Sequence, residues 1–528
     1  MNQLRETSAT PGVPVNDKTY REVRNKLRKY SLGSILEVAL TLLHRRHASL
    51  ADEMQTAPWL IMLMAKWALQ DRMVHQTLGR HITPNEFIDI QQRLWAIDRD
   101  ESEGPLTTNP LRFIRSLGYV QVEFQRLETI EFARWPALIA NLAADHPLKQ
   151  SFEATLGLTP EDFLDLTMAV YAPVIKGEVQ LTMGYFASLR AAYGAKIDII
   201  LGLMARDVAA LRTELSADAF QNRHTAQAVV EFPVFRNFPL LLSPNGNYYC
   251  WHPKVFARGV DEFIHNKLSV EGGAYAQAYG DVFEDYVVGL AKTTGLASLD
   301  EDEFWAVVGR DKHAVEVILR DEDCNILVEA KFGLYQDEYI TKDDAGYARA
   351  KLTKLRDGVA KAVDVSERLS THSGLSALGD RTQDFLLLVT NRQLFIPTGK
   401  QLEAMSSTRV AEIDERARLA HAEKLPIENV FILSLAEFES LMTSVTKGKA
   451  RLASLLPKLA EAMRDPSGFR LDFEQMTAGH VRRREFSPLV RQALDDAMLR
   501  LATNLGHAEM AQPFLDDIEN SDDAPPTD

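Results

Sequence analysis

The chain has 528 residues and a formal net charge of −15. That length exceeds what one ordinary hydrophobic core organises, so two or three domains are expected. Only two cysteines, Cys250 and Cys324, are present; this excludes a disulfide framework or a cysteine-rich zinc site and fits a reducing compartment, while the acidic balance argues against a coat of non-specific nucleic-acid contacts but leaves room for a local basic groove.

Residues 1–17 (MNQLRETSATPGVPVND) lack the apolar core of a signal peptide and read as a flexible arm. The most apolar early run, Pro58 to Leu69, is too short to span a bilayer and contains Lys66. A cytoplasmic protein without a membrane partner is expected. Over residues 18–228 helical periodicity dominates. Thr83-Pro84-Asn85-Glu86 and Thr159-Pro160-Glu161-Asp162 each offer a hydroxyl cap, proline at the first helical position and acid in the first turn. Asp198 to Arg206 reads as part of a buried helix. His44 and His47 stand about one helical turn apart, but no third ligand is suggested nearby, so a solvated basic helix end is the better reading. No phosphate-binding glycine loop, nucleophile elbow or paired-histidine zinc helix occurs. The region is expected to be a helical recognition or regulatory scaffold, and the place for a protein partner or self-association.

Residues 229–270 form a hairpin bridge. The β-rich runs Phe235 to Ser243 and Asn247 to Trp251 flank Pro244-Asn245-Gly246, a strong hairpin signal. Tyr248, Tyr249 and Trp251 could stack bases, but aromatic residues in a hairpin more often pack a core.

Residues 271–441 carry the chemistry. An amphipathic helix over Tyr275 to Ala291 places Glu284 beside an apolar stripe. Three strand-like runs follow, Phe304 to Val308, Ala314 to Leu319 and Asn325 to Lys331. A long helix over about Ala345 to Leu369 precedes buried strands at Asp384 to Thr390 and Val430 to Leu433, and Ser434 to Glu437 caps a closing helix. In the third run Leu327, Glu329 and Lys331 share one face. If the second and third runs pair as a hairpin, Glu316 comes near Glu329. Two readings of Glu329 and Lys331 stand side by side: a surface ion pair contributing little, or part of a Mg²⁺ site with a cation beside it. Lys342, Arg349, Lys351, Lys354, Arg356 and Lys361 make the long helix and its lead-in locally basic, able to track a phosphate backbone, although interleaved acids also suit a solvated face.

This order of elements, closed by Glu-x-Lys on the third strand, resembles the PD-(D/E)xK superfamily of restriction-endonuclease-like nucleases. The resemblance covers roughly residues 271–441. It implies that Glu316, Glu329 and Lys331 are catalytic, that Glu316, Glu329 and the Ala330 backbone carbonyl hold Mg²⁺ (or Mn²⁺), and that Glu284 supports them. In the family the following helix often adds a polar or basic residue; Lys351 and Lys354 are the candidates, with no choice between them. The family usually has Asp where this chain has Glu316; Asp311 is an alternative acid that precedes the strand.

Residues 442–515 read as a helical segment with a small basic cluster, Arg482 to Arg484, and residues 516–528 as a disordered acidic tail. The expected fold is multidomain α+β: a large helical N-terminal region, a restriction-endonuclease-like α/β domain and a helical C-terminal segment. The expected function is metal-dependent phosphodiester hydrolysis of nucleic acid, with DNA favoured as partner. By analogy alone, proteins of this build act in bacterial defence against phage or foreign DNA. The alternative is a catalytically inactive nuclease-fold scaffold.

Overall fold

The computed structural model describes residues 18–45, 49, 56–96, 109–125, 130–217, 225–269, 273–333, 337–342, 344–410, 412–464, 469–481 and 485–507. The expected N-terminal arm, His47, Arg482 to Arg484 and the acidic tail lie outside the described residues. The protein is mixed α and β, and the chain divides into two compact units that interleave along the sequence. One comprises Met1–Glu103, Val120–Thr129 and Val170–Gly259; the other comprises Gly104–Tyr119, Ile130–Ala169 and Val260–Asp528. Among the described residues no helix is long and apolar enough to cross a membrane.

In the first unit, helix α1 (Leu32–Leu43) starts at Ser31, whose hydroxyl accepts the Ser34 N–H. It packs on α2 (Pro58–Gln70), which is buried almost throughout, Lys66 included. A small sheet has the order β1 (Gln180–Leu181), β4 (Tyr248–Cys250), β3 (Leu240–Leu242), β2 (Ala205–Asp207), with β2 and β3 parallel and the other pairs antiparallel. The expected helix at Asp198 to Arg206 ends at Met204, and Ala205–Asp207 adds to the sheet instead. The expected strand at Phe235 to Ser243 is shorter than its β-rich composition suggests. Val234–Asn237 is a 3₁₀ turn and the strand covers only Leu240–Leu242, after Pro239, which cannot donate to a ladder. Gly246 closes the hairpin with φ +80°, a conformation suited to glycine. Trp251 is fully buried and stacks on Phe235 at 4.0 Å, so it packs a core.

The second unit is built on a five-stranded sheet of order β5-β6-β7-β8-β9: Ala297–Asp300, Val317–Asp321, Cys324–Lys331, Gln383–Thr390 and Val430–Ser434. β5, β6 and β7 form an antiparallel meander; β8 and β9 then run parallel to β7. The two-residue turn Glu322-Asp323 joins β6 to β7, with Glu322 in the left-handed region. Helix α3 (Arg134–Ala140) precedes the sheet in sequence, and α4 (Gly273–Thr293) leads into it. The run Phe304 to Val308, expected to be a strand, is the end of helix α5 (Glu301–Val308). A capping box overrides its aromatic and β-branched composition: Asp300 accepts the Glu303 N–H at 3.0 Å and Glu303 accepts the Asp300 N–H at 2.9 Å. The first strand of the meander is therefore β5. The expected strand from Ala314 begins only at Val317. The long connecting helix is two helices, α6 (Ala345–Lys351) and α7 (Thr353–Thr371), broken at Leu352. α8 (Leu435–Thr446) carries the expected Ser434–Glu437 capping box.

The main core of this unit lies between α7 and one face of the sheet. Leu355, Val359 and Ala362 of α7 join Ile318, Leu327, Leu386, Leu388 and Ile432. Strand alternation and register put Glu316, Glu329 and Lys331 on that same face.

Candidate active site

The pairing register explains why the acids meet. Val317 pairs with Val328, so Glu316, one residue before β6, continues the ladder opposite Glu329. Asp300 pairs with Val317, which carries Glu301, the first residue of α5, toward the same row. Neighbouring strands lie about 4.8 Å apart, so this row brings carboxylates from three successive elements together.

Glu329 is fully buried. Its Oε1 accepts the Lys331 ammonium and the Lys361 ammonium, the latter at 2.9 Å. Among the described residues its Oε2 has no hydrogen-bond partner. Lys331 Nζ also donates to the Ala330 carbonyl at 3.1 Å. Burial pushes the Glu316 carboxyl up to about 8, with Glu329 and Glu284 adding to the shift and the two lysines opposing it. Glu284, on α4, is raised by burial, against Lys331 and together with Asp281 and Glu329. Glu301 is raised by burial, against Lys361 and together with Glu329 and Glu284. Lys361 is held protonated: burial works against its charge, but Glu329, Glu316 and Glu301 outweigh it. Four carboxylates, one fully buried and three half-buried, thus face two ammoniums, an acid excess that disfavours full ionisation.

The structure brings Glu284, Glu316, Glu329, Lys331 and the Ala330 carbonyl together. It does not bring Lys351 or Lys354 to the carboxylates. Lys351 lies over the rings of Tyr339 and Tyr347, at 5.6 and 5.7 Å. Lys354 donates to the Phe332 carbonyl at 3.0 Å, just past the strand end. Asp311 is exposed and paired with Lys312 at 2.5 Å. The helix contributes Lys361 instead, two turns beyond Lys354, and α5 contributes Glu301. Between Lys354 and Lys361 lies Gly358, where a Cβ would meet Leu388 Cδ1 at 2.8 Å, Lys331 Cε at 3.3 Å and Glu329 Cγ at 3.4 Å. The missing side chain lets α7 lie close on the acids.

Carboxylate oxygens and a backbone carbonyl are the donors that a hard divalent cation takes. An unpartnered buried carboxylate oxygen is an acceptor that such an ion would satisfy. Among the described residues no three metal-binding side chains already stand around one point. His44, the one histidine of its cluster among the described residues, spends its Nε2 on the Cys250 carbonyl at 2.6 Å. Compared with protein-family profiles, with curated proteins and with solved structures, the chain finds no match.

Proposed function

We propose that residues 271–441, within the second unit, are a restriction-endonuclease-like nuclease domain and that the protein hydrolyses phosphodiester bonds of nucleic acid, DNA by preference, with a divalent metal. One observation carries this reading. A fully buried glutamate with one unpartnered oxygen lies among three further glutamates and two lysines, at the end of a helix–meander–helix–strand sheet. Gathering such an acid excess around a buried glutamate is costly without a compensating cation. Glu316, Glu329 and the Ala330 carbonyl would hold Mg²⁺ or Mn²⁺, with Glu284 and Glu301 outside them. When bound, the metal supplies Lewis-acid polarisation of the phosphoryl oxygens and a more acidic water. Lys331, tied to its own strand through Ala330, orients the attacking water and places a positive charge where the phosphorane develops charge. The pair of free, buried cysteines suits a reducing cytoplasm, and the helical N-terminal region is assigned recognition or partner binding, by analogy in defence against foreign DNA.

A second reading has one observation in its favour. Both lysines already neutralise Glu329, as they would in a nuclease-like scaffold that binds without cutting. Cleavage separates the two. Plasmid, linear duplex, single-stranded DNA and RNA are incubated with Mg²⁺ or Mn²⁺ and with chelator. Glu329→Ala and Lys331→Ala proteins, shown to be folded by circular dichroism, run beside them. Metal-dependent cutting that falls by about 10²- to 10³-fold in each variant is expected. No cutting of any substrate, together with no heat of Mn²⁺ binding, would sink the enzyme reading.

A further inference from the structure

We infer that Lys361 is a second catalytic lysine of this site, which guards Glu329 in the metal-free protein and is handed to the substrate phosphate when metal binds. The inference rests on the nuclease reading above and adds a residue and a binding order to it.

The argument starts from α7. Lys354, Gly358 and Lys361 sit at i, i+4 and i+7, one face of a helix. Lys354 reaches Phe332 beyond β7, Gly358 lies over Lys331 and Glu329, and Lys361 reaches Glu329. The helix therefore runs back along the strand, and this face is laid on the acids.

The two lysines are not equivalent. Both donate to Oε1 of Glu329 while Oε2 goes unpartnered. Lys331 has a second anchor on the Ala330 carbonyl, and its side chain is 17 % exposed. The Lys361 side chain is 29 % exposed, so solvent and substrate reach it more readily. Among the described residues the Lys361 ammonium has no second hydrogen-bond acceptor. Both ammoniums would be repelled by a divalent cation on Glu329. The one with the weaker tether and the more open path moves. A lysine is a compact charge on a flexible four-carbon stem, so it can swing without rearrangement of the helix. Its next anionic partner is a non-bridging phosphate oxygen of the nucleic acid, because the carboxylates are then engaged by the metal.

This exchange separates two quantities that a structural ion pair would move together. Mn²⁺ binding by calorimetry and steady-state cleavage are measured on the full chain as wild type, Lys361→Gln and Lys361→Arg. Lys361→Gln removes the competitor for Glu329, so Mn²⁺ binds more tightly, by roughly 10-fold. The same change removes the phosphate contact, so kcat falls by about 10²-fold. Lys361→Arg keeps the charge and is expected to bind Mn²⁺ as wild type does and to retain cleavage within about 10-fold. Wild type that neither binds Mn²⁺ nor cuts overturns the nuclease reading and this inference with it. Wild type that binds and cuts, beside a Lys361→Gln protein that binds no tighter or cuts as fast, overturns the role of Lys361 alone. Should Lys361→Gln fail to fold, a folded Lys361→Arg protein that has lost cleavage does the same.

Discussion

Two buried glutamates of the same unit, Glu439 and Glu329, are treated in opposite ways by their surroundings. Glu439, on α8, meets Arg134 of α3 through two parallel hydrogen bonds, at 2.8 and 2.6 Å, and takes the Tyr286 hydroxyl at 2.6 Å. Both of its oxygens are used and one guanidinium matches its charge. Glu329 has two donors crowded on one oxygen, none on the other, and three more glutamates around it. The first arrangement is a closed pair that locks α3 to α8. The second is open on one side and short of positive charge. Burial alone does not distinguish them, since both side chains are nearly inaccessible. The saturation of the oxygens and the local charge balance do, and these are the features that mark perturbed groups as candidates for chemistry.

The comparison breaks most visibly at Arg134. Removing one member of a buried pair leaves an uncompensated charge, which costs about 3–5 kcal/mol. Arg134→Met is expected to lower the free energy of unfolding in urea by that amount. Glu329→Gln in metal-free protein takes charge from a site with too much of it, so its unfolding midpoint is expected to stay within the wild-type range or rise. If both variants lose comparable stability, Glu329 is a structural ion and the contrast is void.

The pH dependence sharpens the same contrast. The Glu316 carboxyl is raised to about 8 by burial and by the neighbouring acids. Between the ordinary carboxylate range and about 8, folded protein holds a proton that the unfolded chain has released. Stability linked to this group is therefore complete at low pH and lost as pH rises through that window, the reverse of an acid held in a salt bridge. Glu316→Gln is expected to be more stable than wild type by about 1–2 kcal/mol at pH 8.5 and nearly equal to it at pH 5. Mg²⁺ in excess is expected to close the gap at pH 8.5 by stabilising wild type. Urea titrations at the two pH values, with and without Mg²⁺, check this; a gap that is the same at both pH values removes Glu316 from the acid cluster.

How much of this was legible from the residues varies by element. The alternation in Asn325 to Lys331 gave the shared face of Glu329 and Lys331, and the Ser434–Glu437 box gave the start of α8. The placement of Glu316 followed from a hairpin register, read as a condition and met by the pairing of Val317 with Val328. The resemblance points to Lys351 and Lys354, the basic residues of the following helix nearest in sequence to the strand end. In space α7 returns along β7, so the lysine that reaches Glu329 lies farther along the helix; Gly358, between two lysines at helical spacing, was the available signal. Glu301 was hidden because Phe304 to Val308 has strand-like composition. The acids at Asp300 and Glu303, with Gly309 after the run, were the signs of a capped helix.

Gly358→Ala gives the smallest and most selective test, because two opposing effects act on one methyl group. Alanine is favoured over glycine in a helix interior by about 0.8–1 kcal/mol. Against that, the added carbon would stand 2.8 Å from Leu388 Cδ1, a fully buried side chain, and overpacking of a core costs about 1–3 kcal/mol. Net stability is expected to fall by roughly 1 kcal/mol or less, since the terminal methyl of Leu388 can rotate away. The same carbon also presses on Lys331 and Glu329, at 3.3 and 3.4 Å. A displacement of a few tenths of an ångström hardly matters to a closed ion pair but matters to a site that, on the proposed nuclease reading, holds a cation and a water in register, so on that reading cleavage is expected to fall by about 10-fold. Loss of activity out of proportion to loss of stability would place the close approach of α7 in the service of the acids. Equal, small effects on both would make Gly358 a packing residue, and the nearness of α7 to Glu329 a feature of the core alone.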